Sequence, residues 1–505
     1  MTLLRTGLLY VDAARNVRRR QLVARSLRPV RRRRTSAAPR RGDLRPLPGG
    51  VDLWRSPAFA RGPRQVDGQI DLLGKLLPYP PTDWNPPSLE RLRRFHLHYG
   101  EEVLALARRG DVAGARGAIR AWIAGNPAGR GDGWHPYPLS TRAGNWIAAV
   151  SLMPDLAEAE VGDSLWRQLA YLERNVEDDV LGNHVIRNAR ALVLGGAAFG
   201  DEPLQRRGLA LLKREVPEQV LPDGGHYERS PVYHSLVLRD LLEVRAATGL
   251  TILDAAIGRM RRFAAALSRP DGHPALFNDG SLDLAPELEL PPPPEGLAVF
   301  PDTGYAVVRD GPLWLAFDCG QPAPRFLPPH AHADGLSFQL WIDGRPLVVD
   351  PGTYTYDAGD ERNWFRGTAA HATIAVDGRD QFELWGAFRA GRFPEVQLLS
   401  TEPLAAELRA HGATHRRRLR WSERELVVED ELKGSGRRPV ESRVPLASGA
   451  DPSRVQATGD LAAAVEEGWI SERLYERTRA PVVVARTELR LPSRLGWRIA
   501  LTEPT

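Results

Sequence analysis

Pro286-Glu287-Leu288-Glu289-Leu290-Pro291-Pro292-Pro293-Pro294 divides this chain of 505 residues. Proline fixes φ and donates no backbone hydrogen bond, so the four consecutive prolines make a stiff extended connection that no helix can cross. The apolar period differs on its two sides. From Ser88 to about Leu282 the spacing is mainly helical, as in Leu89, Leu92 and Phe95 and again in Val103, Leu106 and Ala107. It predicts helices over 112–124, 141–153, 163–176, 183–199, 204–216, 231–247 and 252–267, with loops rich in Gly, Pro and Trp. After the prolines the period becomes two. Tyr305 to Arg309 and Leu313 to Phe317 flank Asp310-Gly311, Ser337 to Ile342 and Pro346 to Val349 flank Asp343-Gly344, and Arg417 to Trp421 precedes Glu425 to Leu432. These are hairpin patterns.

A chain of this length exceeds what one hydrophobic core supports, so two large domains are expected. The reading is a multidomain α+β chain: an Arg-rich segment 1–45, a helical domain 46–285, a Pro-rich linker 286–298 and an antiparallel β domain 299–505. Successive long hairpins suggest a sandwich. Stacked helix pairs would form a toroid, a solenoid or a bundle, which share one spacing signature.

The formal charge of +5 hides an asymmetry, because residues 1–41 hold 13 arginines, no lysine and one acid, Asp12, a local net of +12. The remainder carries 5 − 12 = −7. An acidic body argues against a general polyanion surface, so nucleic acid is not an expected partner and an anionic ligand needs a local pocket. The Arg-rich segment reads as a solvated helix or arm, the competing reading being a basic amphipathic helix for a membrane surface or nucleic acid. A single cysteine, Cys319, excludes an intrachain disulfide and a Cys-rich zinc site. No run approaches the roughly 18 apolar residues of a membrane span. The start, Met1-Thr2-Leu3-Leu4-Arg5, lacks the apolar core of a cleavable signal, so a cytoplasmic location is the default expectation.

Two clusters carry chemistry. In the β half, His330-Ala331-His332-Ala333-Asp334-Gly335-Leu336 leads through a hairpin to Val349-Asp350-Pro351-Gly352. Histidines at alternate positions of an extended segment point the same way, and the hairpin returns Asp350 towards them. With His371, the set His332, Asp350 and His371 offers two imidazoles and a carboxylate, which suits one divalent metal ion, zinc or manganese ahead of calcium. In the helical half, Gly182-Asn183-His184 and the block Asp223 to His234 bring His226, Glu228, Arg229 and Tyr233 to the starts of neighbouring helices, the pattern of a cleft. Asn183 also fits a helix N-cap, and Ser230-Pro231 an N-cap followed by proline. Trp134, Asn145 and Trp146 would suit stacking and hydrogen bonding to sugars. Phosphate-loop, dinucleotide and serine-nucleophile motifs are absent.

These residues resemble the heparinase II/III-like polysaccharide lyases, a superfamily of heparin, heparan sulfate, alginate and related uronan lyases. The resemblance runs from about Asp83 to Glu383 through Trp84-Asn85, Phe95-His96-Leu97-His98-Tyr99, Asn126-Pro127, Trp134-His135-Pro136-Tyr137-Pro138, Gly182-Asn183-His184, the Asp223 to His234 block, His330 to Gly352 and Ala370-His371. It implies an incomplete α/α toroid followed by an antiparallel β-sandwich, with the cleft between them. By the same resemblance, Asn183 and His184 bind and neutralise a uronate carboxylate, Tyr233 is the catalytic tyrosine, His330 its histidine partner, and His332, Asp350 and His371 hold a structural metal. Some relatives carry a glutamate shortly after the Asn-His pair, where this chain has Arg187 and Asn188. The implied reaction is β-elimination on a 4-linked uronate, leaving a 4,5-unsaturated end, and the implied substrate, an acidic polysaccharide, suggests a periplasmic or extracellular setting. The competing readings are a glycoside hydrolase using Glu228 and Asp223, a metal-dependent oxygenase built on His330 and His332, and a glycan-binding protein without catalysis.

Overall fold

A computed structural model describes residues 3–502 except 33, 37, 38, 41, 60–64, 67 and 460, and for 3–8, 58, 65 and 66 the backbone alone. The helices are α1 (Leu3–Asn16), α2 (Arg19–Arg32), α3 (Val51–Arg55), α4 (Arg91–Leu97), α5 (Glu101–Arg108), α6 (Val112–Gly125), α7 (Pro136–Leu152), α8 (Ala159–Arg174), α9 (Asn183–Phe199), α10 (Glu202–Gln219), α11 (Pro231–Thr248), α12 (Asp254–Ala266) and α13 (Asp360–Arg366). In succession α5 packs on α7, α7 on α9 and α9 on α11, while α6, α8, α10 and α12 pack outside them. The inner helices are buried all round, as α7 and α9 are at nearly every position. The outer ones bury one stripe, as α8 does with Val161, Leu165, Leu169 and Leu172. The result is the incomplete α/α toroid.

Close approach of α9 and α10 depends on Gly208, where a Cβ would stand 2.7 Å from the Val193 backbone nitrogen. Buried charges tie α9 to α11: Arg187 Nε donates to Asp240 at 2.7 Å and Arg190 Nε to Glu243 at 2.7 Å. Each buried guanidinium has its carboxylate, which is what makes its burial tolerable. Helix α7 begins five residues before the sequence reading placed it, because Pro136 occupies the first turn, where a missing N–H costs nothing.

The β domain opens with a five-stranded antiparallel meander, Gly296–Phe300, Tyr305–Asp310, Leu313–Asp318, Phe338–Ile342 and Arg345–Val348. Its first strand starts within the segment that the sequence reading assigned to the linker. Asp343 and Gly344, with φ of 49° and 72°, close the predicted two-residue turn. A six-stranded sheet packs across it, burying Ala306, Leu315, Phe317 and Leu340 against Ala406, Leu419, Val428 and Trp497. The opposite face of the meander presents Tyr305, Val307, Trp314 and Trp341 to Phe263, Leu267 and Phe277 of the helical domain. Covered on both sides, Leu313–Asp318 is buried at every position, whereas Glu425–Lys433 alternates. This doubly buried sheet seats the sandwich on the toroid. Among the described residues no helix is long and apolar enough to cross a membrane.

Candidate active site between the toroid and the sandwich

The N-termini of α7, α9 and α11 open at one end of the toroid, facing the loop 319–337 of the β domain. Gly182, at φ 62°, turns the chain into α9, and a Cβ there would meet Glu228 Oε1 at 2.0 Å. Only glycine lets Glu228 approach. Asn183 is the first residue of α9 and not its cap: its backbone N–H donates to Glu228 Oε1 at 2.7 Å and its Nδ2 to Oε2 at 3.0 Å. Beside it His184 packs against the Tyr137 ring, centroids 4.4 Å apart and planes tilted by 43°, and Nδ1 lies 3.1 Å from Glu177 Oε1. Burial works against protonation of His184, but the Glu177 carboxylate outweighs it and raises the imidazole above its ordinary value of 6.5. For Glu177, burial works upward and His184 outweighs it, leaving the carboxyl at about 2. Glu177 supplies the carboxylate that Arg187 and Asn188 do not. It was not recognised in the sequence because it precedes the motif, across a loop, and Asn188 Nδ2 holds its other oxygen at 3.1 Å.

With Nδ1–H committed to Glu177, His184 donates from Nε2 only as the imidazolium. The ion pair is complete between about pH 4.5 and 6.5, the two ordinary values, weakens as pH rises through the raised value of His184, and fails in acid as pH falls through about 2. Glu177→Gln removes the force that raises His184. We expect the His184 imidazole, followed by NMR, to titrate at lower pH in this variant; an unchanged titration would refute the assignment.

Ser230 caps α11, accepting from the Tyr233 N–H at 3.2 Å, and so sets Tyr233 in the first turn. The Tyr233 ring stacks on His330, centroids 3.8 Å apart, and its hydroxyl donates to Tyr356 Oη at 3.1 Å. Burial, then Tyr356 and Asp279, push the Tyr233 phenol well above its ordinary range. His330 Nδ1 lies 2.9 Å from Asp279 Oδ2 and its Nε2 3.4 Å from Glu228 Oε2. Asp279 also faces His332 Nε2 at 2.9 Å from Oδ1 and accepts from Arg362 through both oxygens. Burial opposes ionisation of Asp279, but Arg362 overrides it and holds the carboxyl well below its ordinary range. Asn183, His184, Tyr233 and His330, predicted from distant parts of the chain, are thus brought together around Glu228. Phe388, 42% exposed with its ring 5.8 Å from Tyr356, offers an aromatic face at the rim that sequence reasoning missed.

Other predicted contacts lie elsewhere. Trp134 and Trp146 are 4% and 0% exposed and belong to the toroid core, Trp134 donating to the Asn126 carbonyl and Trp146 packing edge-on to Trp122. Asn145 is spent on the Tyr99 carbonyl at 2.9 Å, and His226 on Gln219 Oε1 at 3.0 Å. Arg229 reaches the Gln321 carbonyl at 2.5 Å and clamps the two domains together. Of the proposed sugar contacts, Glu228 alone faces the cleft residues. Asp223, its partner in the hydrolase reading, is bound to Thr303 through both oxygens.

The histidines at 330 and 332 stand in an irregular loop, not a strand, and Phe338 begins the strand. Ligand atoms of His332, Asp334 and His371 lie within 4.8 Å of one another. His332 Nδ1, Asp334 Oδ1 and His371 Nε2 are buried without a hydrogen-bond partner. Three convergent unpaired atoms, two nitrogens and an oxygen, fit a divalent cation. Asp350, expected from sequence as the third ligand, instead meets His371 Nδ1 at 3.0 Å. That bond directs the Nε2 lone pair inward, as Asp279 does for His332 Nδ1.

Two family models match in tandem, Heparinase II/III N-terminus over residues 152–288 and Heparinase II/III-like, C-terminal over 292–499, meeting at the proline run. A heparin-sulfate lyase of Bacteroides stercoris is 28% identical over 309 residues, 50% of this chain and 44% of that protein. The chain therefore spans less than half the length of that relative. FtsZ-localized protein C of Caulobacter vibrioides (strain NA1000 / CB15N) is 27% identical over 400 residues, 72% of this chain and 66% of that one. A solved structure of Heparinase III superposes with a TM-score of 0.68 at 16% identity, covering 95% of this chain and 89% of the other, a likeness of fold. The chain belongs to the heparinase II/III-like superfamily.

Proposed function

We propose that this protein is a polysaccharide lyase that cleaves a 4-linked uronic-acid polysaccharide, glycosaminoglycan-like, alginate-like or a bacterial exopolysaccharide, by β-elimination. The observation that carries the reading is the stacked Tyr233–His330 pair beside the Asn183–His184 end of the cleft. The proton on C5 of a uronate is weakly acidic until the adjacent carboxylate is neutralised by donors. His184, whose protonated form Glu177 favours, and the Asn183 amide, exchanging its bonds to Glu228 for the uronate, are those donors. His330, fixed at Nδ1 by Asp279, takes the C5 proton at Nε2, and Glu228 Oε2 at 3.4 Å stabilises the imidazolium that forms. Tyr233 enters protonated and gives its proton to the departing O4, with the Tyr356 hydroxyl at 3.1 Å able to replenish it. The C4–O4 bond breaks as the C4–C5 double bond forms. The hydrolase reading lacks a second free carboxylate, since Asp223 is engaged by Thr303.

The test is incubation with heparan sulfate, hyaluronan, chondroitin, alginate and bacterial exopolysaccharides. Cleavage by elimination gives an ultraviolet-absorbing unsaturated uronate. New reducing ends without that absorbance would overturn the reading in favour of hydrolysis, and binding without cleavage would overturn it in favour of a glycan-binding protein.

His332, Asp334 and His371 would hold one divalent ion, zinc or manganese, with Asp350 orienting His371. When bound, such an ion supplies a structural crosslink between the loop carrying His330 and the segment carrying His371. We expect purified protein to contain about one such ion per chain by elemental analysis and His332→Ala to lose it. Metal-free wild-type protein, purified without chelator, would sink this assignment.

A further inference from the structure

Helix α2 is docked with its polarity reversed. Projected at about 100° per residue, Arg20, Gln21, Ala24, Arg28, Arg31 and Arg32 fall on the arc turned towards the protein. The opposite arc carries Leu22, Val23, Leu27 and Val30, which are 53%, 58%, 42% and 56% exposed, with Arg19 and Ser26 among them. The arginine side is held by ion pairs: Arg20 to Glu215 at 3.0 Å and Glu218 at 3.1 Å, and Arg28 to Asp179 at 2.9 Å. Just before the helix, Arg18 pairs with Glu218 and lies over the Phe326 ring. A surface helix ordinarily buries its apolar stripe and solvates its charges. Here acids on the toroid hold the charges and the stripe faces water. The feature is local, since six of the eleven exposed large apolar side chains among the described residues belong to α1 and α2, Tyr10 and Val11 being the other two.

We propose that this face docks on an anionic phospholipid membrane surface, lying in the interface without crossing it. Charge selects the occupant. Arg25 flanks the exposed arc beside Leu22, Arg19 projects from within it, Arg15 and Arg34 are exposed at the two ends, and α2 contains no acid. Exposed apolar side chains interspersed and flanked with guanidinium groups suit acyl chains below and anionic headgroups beside them. Nucleic acid would engage the arginines and leave the stripe in water. A second copy would bring together two segments that each carry +12 over residues 1–41. The reach of the anchor is short, because α2 is clamped to α10 and to the loop before α9 that carries Glu177. Membrane docking would therefore hold the cleft at a fixed distance from the lipid. The inference does not depend on the lyase reading.

The experiment is sedimentation of the full chain with vesicles of phosphatidylcholine alone or of phosphatidylcholine mixed with phosphatidylglycerol. Recruitment by the mixed vesicles only is expected, falling as salt rises from about 0.1 M to about 0.5 M. The double variant Leu22→Gln/Val30→Gln alters only exposed positions, so it should keep the wild-type thermal transition while vesicle partitioning falls at least about tenfold. Arg19→Gln/Arg25→Gln should lose the preference for anionic lipid. No recruitment by anionic vesicles, or undiminished recruitment of Leu22→Gln/Val30→Gln, would overturn the proposal. So would a wild-type dimer in sedimentation equilibrium that the double variant abolishes, which would assign the face to a second copy.

Discussion

Under the proposed elimination, Tyr233→Phe lowers turnover on a uronate polysaccharide by about 10³-fold and leaves KM within a few-fold of wild type. The expectation follows from what the substitution removes. The ring stays, so the stack on His330 and the closed packing at the first turn of α11 are retained. What is lost is one hydroxyl, its bond to Tyr356 and the proton it gives to the departing O4. In free protein that phenol is well above its ordinary range, because burial, Tyr356 and Asp279 all oppose the phenolate. It therefore meets the substrate as an acid. The measurement is initial rate from unsaturated-uronate absorbance at saturating substrate, with a thermal scan to confirm that the fold is kept. The stability cost should be about 1–3 kcal/mol, that of leaving the buried Tyr356 hydroxyl without its partner. A fall of less than about tenfold in turnover would remove Tyr233 from the chemistry.

The fold class, helices followed by antiparallel sheets, was legible in the sequence because each half obeys one period and the prolines separate them. Helix α9 begins and ends where its apolar spacing says, and Asp343-Gly344 makes the turn its residues require. Asn183-His184, Tyr233 and His330 were legible as candidates for a different reason: they sit in recognisable local motifs. Their partners were not. Asp279 meets His330 across 51 residues and Arg362 across 83, and no local pattern marks a buried carboxylate that three cationic or donor groups will share. Glu177 was hidden by a loop. Trp134 and Trp146 misled because an aromatic that stacks on sugar and one that fills a helix interface are the same residue type, and only burial separates them. Asp334 was passed over for Asp350 because the hairpin was expected to return Asp350 to both histidines. The loop's turn, with Leu336 at φ 63°, instead brings Asp334 itself beside His332 and His371.

Asp279→Asn destabilises the fold by about 3–5 kcal/mol, and the physical reason lies in Arg362. That guanidinium is 0% exposed and donates to both oxygens of Asp279, itself 0% exposed. Asparagine is nearly isosteric but uncharged, and it turns one acceptor into an NH₂ that must face a donor, either Arg362 or a histidine. The buried cation is then left uncompensated, the most costly way to break such a pair. Urea unfolding followed by far-ultraviolet circular dichroism measures the loss, and a change below about 1 kcal/mol would show that Arg362 finds another anion. Turnover should fall as well, because His330 loses the acceptor that holds its Nδ1–H and, in the proposed mechanism, leaves Nε2 to act as the base. The two effects separate in the double variant Asp279→Asn/Arg362→Met, which removes the stranded charge together with its partner. Stability should recover in part, since replacing both members of a buried pair is far cheaper than removing one. Activity should not recover, because the orientation of His330 depends on the carboxylate and not on the guanidinium. Full recovery of turnover in the double variant would mean that Asp279 serves the fold alone and that His330 is positioned by its stack on Tyr233.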